Sequence, residues 1–323
     1  MTERKANKGA VITKLVLWSV VAVILIAMFA VLMVAGNTEF TFGFDFINIG
    51  YNDYGDDGDY YAGNKKYGEE IKNLEIYWTN GEVNFVIREG EGIEIAESGA
   101  GEREEYKMRS RVEGDTLEVR FVKSGLRMDS LPEKELTVYI SPSVAMSLGN
   151  LEIKAVNVEV KLGDKDSKGN TVINCKDITV DCVSASLDVF GVNAESFEVN
   201  ALSADVVFDG KAKKLSLEGL SGNLNANGEI DKLEVAAISS NLSLELVNTP
   251  SEIDASGVSG NVSLTLPESH GGFEAELESV SGKITFNSEN TGGYCKYGEG
   301  EAEYSFENVS GEVVIKTKKV IEE

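Results

Sequence analysis

Histidine is almost absent from this chain of 323 residues, and the one present, His270, stands in a Glu-Ser-His-Gly-Gly turn. A metal site built on histidines, with zincin or zinc-finger spacing, is therefore excluded. A Ser-His-acid triad would have to use His270 as its base, although its turn is typical of a solvated loop. Walker loops and dinucleotide fingerprints are also missing from the sequence. We expect no catalytic, cofactor-binding or metal-binding residues and no cofactor, and predict that the protein is not an enzyme.

Cysteine and proline are scarce as well. Three cysteines, Cys175, Cys182 and Cys295, are too few for a disulfide-stapled scaffold of this length. Cys175 and Cys182 flank Ile178 and Val180, so they either pair across a bend or serve as small buried hydrophobic residues, which the sequence favours. Only four prolines occur, as continuous β ladders require, because proline has no N–H to donate.

Basic residues are outnumbered by acids: 30 Lys and Arg against 54 Asp and Glu give a net charge of −24. Nucleic acid binds through phosphate neutralisation by Lys and Arg, so a nucleic-acid partner is excluded. The same charge disfavours docking on anionic lipid and suits cationic peptides, divalent cations or basic protein surfaces. A solvated face on soluble β coils explains the acidity without any partner.

One long hydrophobic run stands near the N-terminus. Residues 15–35 carry no charge, and as a helix rising ~1.5 Å per residue they span about 30 Å, enough to cross a bilayer core. The fourteen residues before them hold four basic side chains and one acid, which favours a cytoplasmic location. We predict a cytoplasmic tail (1–14), one transmembrane helix (15–36) and an extracellular C-terminal part at the cell membrane. A cleaved secretion signal is the alternative, since small residues at 34–36 suit a signal peptidase.

Residues 37–70 are rich in Gly, Asn, Asp and Tyr and poor in aliphatic residues. Such a segment has little to bury, and we predict a flexible acidic stalk that lifts the folded part off the membrane. Its closely spaced acids do not follow the positions of an EF-hand calcium loop. They are Asp53, Asp56, Asp57 and Asp59.

From residue 178 onward a phrase of twelve residues occurs seven times. It reads apolar-x-apolar-x-x-apolar-Ser-small-x-apolar-x-apolar, most clearly at 215–226 (LSLEGLSGNLNA), 233–244 (LEVAAISSNLSL) and 253–264 (IDASGVSGNVSL). The other copies start at Ile178, Phe197, Ala275 and Tyr304. Two spacings are long, and we interpret residues 268–273 and 287–300 as inserted loops. A period of about 18–22 residues predicts one coil of a parallel β-solenoid.

Each phrase is predicted to form two short strands around a bend. Alternate apolar residues point inward, and Ser followed by a small residue permits a tight corner. Coils stack about 4.8 Å apart, so like positions form columns. One predicted column holds Ser184, Ser203, Ser221, Ser239, Ser259, Ser281 and Ser310, and a shorter one holds Asn223, Asn241 and Asn261. Lys316, Lys318 and Lys319 are interpreted as protection of the last strand edge.

The predicted fold class is therefore all-β, a parallel β-solenoid preceded by one transmembrane α-helix. Residues 71–150 form a less regular N-terminal β region, in which Asn80-Gly81 replaces the Ser-small bend. Regular solenoid repeats occupy 151–319, and 320–323 are a short tail.

Some parallel β-helices cleave carbohydrates, so outward acids could form a catalytic pair. The candidates are Asp188, Asp205, Glu218, Glu245 and Asp254. A glycosidase needs two carboxylates at a defined separation in a cleft, with aromatic residues that stack on the sugar. Aromatic residues are almost missing from the outward positions of the repeats, and a carbohydrate-active enzyme is the disfavoured alternative.

The copies VSGNVSL, VSGKITF and VSGEVVI resemble the bacterial "putative adhesin" β-strand-repeat family, a domain of unknown function common in Gram-positive bacteria. The resemblance covers residues 71–318 and implies a membrane-anchored or cell-surface solenoid without catalytic residues. Some members are encoded with envelope-stress regulators. We expect a non-catalytic binding role at the cell envelope, in adhesion, wall binding or stress sensing, with a cell-wall or surface ligand as partner. The alternative is an accessory subunit of a membrane signalling system, with a membrane regulatory protein as partner.

Overall fold

The computed structural model describes residues 47–48, 51–52, 54–55, 58–163, 165 and 172–319. The predicted cytoplasmic tail (1–14), transmembrane helix (15–36) and C-terminal tail (320–323) lie outside these residues. Within the described ranges, no helix has both the length and the apolar character needed to cross a membrane.

The described chain consists almost entirely of β-strands. Six long strands form its body: β5 (Asn73–Ile87), β11 (Leu148–Leu162), β12 (Ile173–Leu246), β13 (Glu252–Pro267), β14 (Phe273–Phe286) and β17 (Ala302–Lys318). The short strands are β1 (Ile47–Asn48), β2 (Tyr51–Asn52), β3 (Tyr61–Ala62), β4 (Lys65–Tyr67), β6 (Ile93–Ser98), β7 (Arg109–Glu113), β8 (Thr116–Arg120), β9 (Leu126–Arg127), β10 (Lys134–Ile140), β15 (Glu289–Gly292) and β16 (Tyr294–Tyr297). One helical turn, α1 (Pro142–Ala145), and two 3-10 turns, Glu104–Tyr106 and Met128–Ser130, complete these elements.

The long strands stack in parallel and in register. β11 pairs with both β5 and β12, so Leu151 lies opposite Leu74 on one side and Ile178 on the other. Further along the stack, Leu244 of β12 lies opposite Leu264 of β13. Because inward positions of successive coils coincide, their side chains form one continuous apolar core. The prediction of an all-β parallel solenoid is confirmed for the described residues.

The predicted period corresponds to one coil. β12 stays extended for 74 residues and contains four of the phrases found in the sequence. Side-chain hydrogen bonds join residues one period apart: Asn200 Nδ2 donates to Asp181 Oδ1 at 2.9 Å, and Asn241 Nδ2 donates to Asn223 Oδ1 at 3.1 Å. β12 therefore winds through four successive coils of 18 or 19 residues.

The coils at both ends are stacked in an order that differs from their order in the chain. β17 lies between β13 and β14 and pairs in parallel with both. At the other end, β5 lies between β11 and an outer coil made of β8 and β10, although β8 and β10 follow β5 in the chain. The repeated phrase identifies the residues of a coil but carries no signal for the neighbours of that coil.

The predicted edge role of the C-terminal lysines, Lys316, Lys318 and Lys319, is therefore wrong. β17 has a partner strand on each side, and Lys318 Nζ lies 2.7 Å from Glu245 Oε1. The outer edge of β14 is covered instead by β15 and β16, which pair with it in antiparallel fashion. These two strands occupy the region interpreted as an inserted loop. At the opposite end, β6 and β7 cover β10 and β8 in the same way.

Glycine after the corner serine allows neighbouring coils to come close. A Cβ atom on Gly260 would lie 1.9 Å from the carbonyl oxygen of Ser240, and one on Gly311 would lie 1.9 Å from the carbonyl oxygen of Gly260. Gly311 also has a φ of 154°, which side-chain-bearing L residues rarely adopt. Contact between backbones, rather than local flexibility, explains the glycine of the Val-Ser-Gly corners.

All three cysteines are buried and have free thiols. Cys182 continues the inward column that holds Ala155 and Trp78 in the two preceding coils. The thiol of Cys175 donates to the carbonyl oxygen of Gly149 at 3.2 Å. Burial raises the pKa of Cys175 and Cys182 to about 12. Both residues therefore act as small hydrophobic side chains and do not form the disulfide considered above.

The described part of the predicted stalk packs against the solenoid. β3 pairs with β7, and β4 pairs with β6. The centre of the Tyr60 ring lies 4.0 Å from the guanidinium carbon of Arg120 and 4.6 Å from that of Arg111. Tyr67 Oη donates to Ser110 Oγ at 2.6 Å. This segment has few aliphatic residues, and its tyrosine rings make the packing contacts with the solenoid instead.

A lysine is buried at the N-terminal end of the stack. Lys134 Nζ lies 2.7 Å from Glu97 Oε2 and donates to the carbonyl oxygens of Tyr106, at 2.8 Å, and Phe121. It also lies 4.4 Å from the centre of the Phe121 ring and 5.0 Å from that of Trp78. Burial lowers the pKa of Lys134 to about 8. This ammonium group joins the start of β10 to β6 and to the chain that follows β8.

Candidate binding surface

The outward side chains of a coil fall into three sets, which we call walls. Wall A comprises the outward positions among the first five of each phrase. Wall B comprises those among the last five, after the corner. Wall C comprises the outward residues that link one phrase to the next. The chemistry of the three walls differs, and this difference decides what each of them can bind.

Wall A is acidic along the stack. Two basic residues at its fourth position, Arg120 and Lys154, pair with Glu118 and Glu152. The acids at its second and fourth positions are Glu75, Glu118, Glu152, Asp181, Glu198, Glu218, Glu234, Asp254, Glu276, Glu278 and Glu307. Glu278 lies opposite Glu307, and Glu234 lies opposite Asp254. Burial and the carboxylates of Glu307 and Glu234 raise the pKa of Asp254. Among the residues that the structure describes, no three His, Cys, Asp or Glu side chains are placed to hold a metal ion.

Wall C carries charges that are paired between coils. Lys211 Nζ lies 2.7 Å from Glu229 Oε2, and Lys213 Nζ lies 3.1 Å from Glu195 Oε1. A groove of about 620 Å³ passes these four side chains. Opposite charges in adjacent strands stabilise the stack modestly, and they leave this groove with little net charge.

The predicted serine column is present at the corner before wall B. Ser239 lies opposite Ser259, Ser259 opposite Ser310, and Ser310 opposite Ser281. The column follows the exchanged order of the last two coils, so Ser310 precedes Ser281 along the stack. Serines at the same position of the phrase lie opposite each other, as predicted. Copies that follow one another in the chain, however, are not always neighbours in the stack.

The asparagine column of wall B is longer than predicted. Asn241 Nδ2 donates to Asn223 Oδ1 at 3.1 Å, and Asn223 Nδ2 donates to Asp205 Oδ1 at 2.6 Å. The backbone N–H of Asn261 donates to Asn241 Oδ1 at 3.4 Å, and that of Glu312 donates to Asn261 Oδ1 at 3.1 Å. These bonds orient one polar side chain in each of four coils, from Asp205 to Asn261, and the fifth coil joins them through the backbone N–H of Glu312.

A trough of about 630 Å³ runs beside this column. Its outward lining residues, two from each of the five coils, are Asp205, Val207, Asn223, Asn225, Asn241, Ser243, Asn261, Ser263, Glu312 and Val314. The side chains of Asn225, Ser243 and Ser263 are exposed and have no hydrogen-bond partner in the described part of the chain. Charged lining residues occur only at the two ends, at Asp205 and Glu312.

The apolar residue at the sixth position of the phrase lies on the corner and not in the core. Val280 is 62% exposed and Leu220 is 37% exposed, while Val183, Ile238 and Val258 are partly exposed. Hydrophobic pattern alone does not separate a corner residue from a core residue, because both positions hold Val, Leu or Ile. The corner therefore presents a column of apolar side chains that the sequence does not mark as exposed.

The acids considered for catalysis are distributed over different parts of the surface. Wall B holds Asp188 and Asp205, wall A holds Glu218 and Asp254, and Glu245 is paired with Lys318. His270 is exposed in the segment before β14, where its carbonyl oxygen accepts the backbone N–H of Glu299 at 3.3 Å. The described residues bring together amide and hydroxyl groups in the trough rather than an acid pair with a base.

The described residues form a β-solenoid of stacked parallel coils with covered ends. The family model described as Toastrack DUF4097 matches residues 71–316, and the chain belongs to this family. The resemblance to the "putative adhesin" β-strand-repeat family, a domain of unknown function, is thereby confirmed. A comparison with curated proteins finds no match.

Three solved structures are similar to the chain at low identity. A putative cell adhesion protein from Clostridium sporogenes is 16% identical, with 80% of this chain and 100% of that chain covered and a TM-score of 0.26. A putative adhesin from Bacteroides fragilis is 12% identical, with coverages of 79% and 96% and a TM-score of 0.37. A putative adhesin from Parabacteroides distasonis is 12% identical, with coverages of 81% and 98% and a TM-score of 0.29.

Proposed function

We propose that this chain is a single-pass membrane protein whose solenoid lies outside the cell and binds a ligand of the bacterial cell envelope without catalysis. The trough of wall B carries the proposal. It combines an extended shape over five coils with exposed polar groups that have no partner among the residues that the structure describes. Solenoids use extended surfaces of this kind for recognition.

The stack of coils makes the trough rigid before any ligand arrives. Each coil is bonded on both sides by parallel ladders, and the asparagine column holds its own side chains in place. A surface that is already ordered loses less conformational entropy on binding. A rigid trough can therefore bind a ligand through many weak contacts.

The proposed topology puts residues 1–14 in the cytoplasm, 15–36 in the membrane and the solenoid outside. The uncharged run and its basic flank support it. We expect protease added to intact protoplasts to digest an epitope at the C-terminus and to spare one at the N-terminus. Protection of both epitopes until the membrane is permeabilised would contradict this topology.

Binding to the envelope is tested with the full-length chain in detergent micelles and purified, insoluble cell walls. We expect saturable co-sedimentation that persists as salt is raised, because the trough interior is uncharged and its contacts are not screened. Bovine serum albumin, also acidic, serves as the control for non-specific trapping. Absence of co-sedimentation by a chain with an intact β-sheet circular dichroism spectrum would refute wall binding.

The acidity of wall A favours a second candidate function. Its stacked carboxylates would suit a basic surface on a membrane regulatory protein, which fits an accessory subunit of a signalling system. Crosslinking in whole cells tests this candidate. A crosslinked protein that is lost when Glu278 and Glu307 are both replaced by Gln would support it, whereas a crosslink unaffected by these changes would point to another surface.

A further inference from the structure

Wall B carries the trough, in which three exposed polar side chains have no partner in the described chain and the central lining residues carry no charge. Wall C carries ion pairs between coils, Lys211 with Glu229 and Lys213 with Glu195, and wall A is rich in carboxylates. The wall B trough has Asn225, Ser243 and Ser263 without partners in the described chain, over a floor that is charged only at its ends. The polar groups of the trough therefore restrict the class of ligand more narrowly than the side chains of walls A and C do.

We propose that the trough binds a neutral, hydroxyl-rich glycan chain that lies along the axis of the solenoid. This inference rests on the proposed envelope-binding function and assigns a ligand class to it. Five coils at about 4.8 Å spacing give a site roughly 19 Å long, which accommodates an extended oligosaccharide rather than a single sugar.

The hydrogen-bonding groups of the trough match those of a neutral sugar. Each hydroxyl of a glycan both donates and accepts, and so do the amide of Asn225 and the hydroxyls of Ser243 and Ser263. The neighbouring asparagine column is already bonded to itself and acts as a fixed rim. Asp205 at one end, within a chain of net charge −24, disfavours an anionic polymer, while Glu312 at the other end is paired with Lys283 at 3.3 Å.

An extended peptide fits this site less well. A peptide gains most of its affinity by adding a strand to a free sheet edge, but the coils that form the trough are interior. β13, for example, is paired with β12 on one side and with β17 on the other. The outward valines of the trough, Val207 and Val314, stand at its two ends, while Val206 and Val262 are buried in its floor, so its centre offers a side chain little exposed apolar surface.

The absence of aromatic residues from the trough lining implies weak binding per sugar. Sugar-stacking rings usually supply much of the affinity for a glycan, and hydrogen bonds to exposed groups contribute modestly because water competes for them. Affinity must therefore accumulate over several contacts on one long polymer or over several copies of the protein at one surface. We expect tight retention on insoluble polymers and little response to monosaccharides.

The test measures co-sedimentation of the full-length chain, in detergent micelles, with microcrystalline cellulose and with chitin, both neutral. Cross-linked pectate serves as the anionic comparison. The test variant carries Asn225→Ala and Ser243→Ala. The matched control carries Asn227→Ala and Ser305→Ala, which remove the same groups from exposed positions outside the trough. Circular dichroism and thermal melting check that both variants keep the solenoid.

We expect the wild type to bind a neutral polymer saturably. Binding by the trough variant should be about tenfold weaker, which is the size expected for two lost hydrogen bonds, and binding by the control variant should be nearly unchanged. Failure of the wild type to bind either neutral polymer overturns the inference, and so does equal weakening of both variants or a preference for pectate. If cell walls still pellet the chain in that case, the proposed function stands while the glycan assignment falls. Displacement from the trough by unfolded casein would assign the site to peptide instead.

Discussion

Replacing Lys134 by Met tests whether the buried ion pair holds the N-terminal end of the stack together. The change removes the ammonium group and leaves the Glu97 side chain, 5% exposed, without its cation. Loss of one partner from a buried pair costs about 3–5 kcal/mol, and the carbonyl oxygens of Tyr106 and Phe121 also lose their donor. We therefore expect the free energy of unfolding of this end to fall by about 4 kcal/mol.

Urea titration followed by tryptophan fluorescence measures this loss, because Trp78 is buried beside the ammonium group. The control is Lys66→Met, whose side chain is 74% exposed and pairs with Glu94 at 3.2 Å. A surface pair of this kind contributes about 0–1 kcal/mol. If Lys134→Met lowers the free energy of unfolding no more than Lys66→Met does, the buried pair does not hold this end of the stack together.

The pH dependence gives the same pair a second test. The pKa of Lys134 is about 8 in the folded chain and about 10.4 in an unfolded one, so the unfolded state binds more protons between these values. Stability contributed by this group therefore rises as pH increases from 8 toward 10.4. We expect the wild type to gain stability relative to Lys134→Met over that window, and parallel curves for the two proteins would contradict the assignment.

Three further predictions follow from close packing. Gly260→Ala places a Cβ atom against the Ser240 carbonyl oxygen and is expected to lower the unfolding free energy by about 2 kcal/mol or more; Ser263→Ala, on the same strand, is the control in thermal melts. The thiols of Cys175 and Cys182, whose pKa burial raises to about 12, should react with Ellman's reagent only after denaturation, and rapid reaction of the native chain would show that they are accessible. Tyr60→Ala removes the ring that contacts Arg111 and Arg120 and should speed proteolysis within residues 58–70; Tyr60→Phe, which keeps the ring, should not.

The sequence predicts the solenoid well because its signal is periodic. A phrase such as residues 253–264 states which side chains face inward and where the corner falls, and parallel registration follows from repetition. The order of the coils has no such signal. By their apolar pattern, the copies that contain Val280 and Val309 are equally suited to the place next to β13. Pairing of β15 and β16 with β14 places that coil at the end of the stack, and this depends on a segment outside the repeat.

The binding surface was predictable in part for the same reason. The spacing of Asn223, Asn241 and Asn261 predicts a column, and the structure shows it. The trough itself depends on side chains from five coils, including Glu312 from a coil inserted out of order. Lys134 has no local sequence signal at all, because its burial arises from Glu97 and from aromatic residues 13 and 56 positions away.

The exchanged order of the last coils has a consequence for biosynthesis. The chain segment that forms β14 emerges before that of β17, yet among the described long strands β14 pairs only with β17. A chain that ends after residue 300 therefore lacks the strand that pairs with both β13 and β14. Completion of the stack waits for β17, which is made after β14, and until then β13 lacks the strand that covers its edge in the described structure.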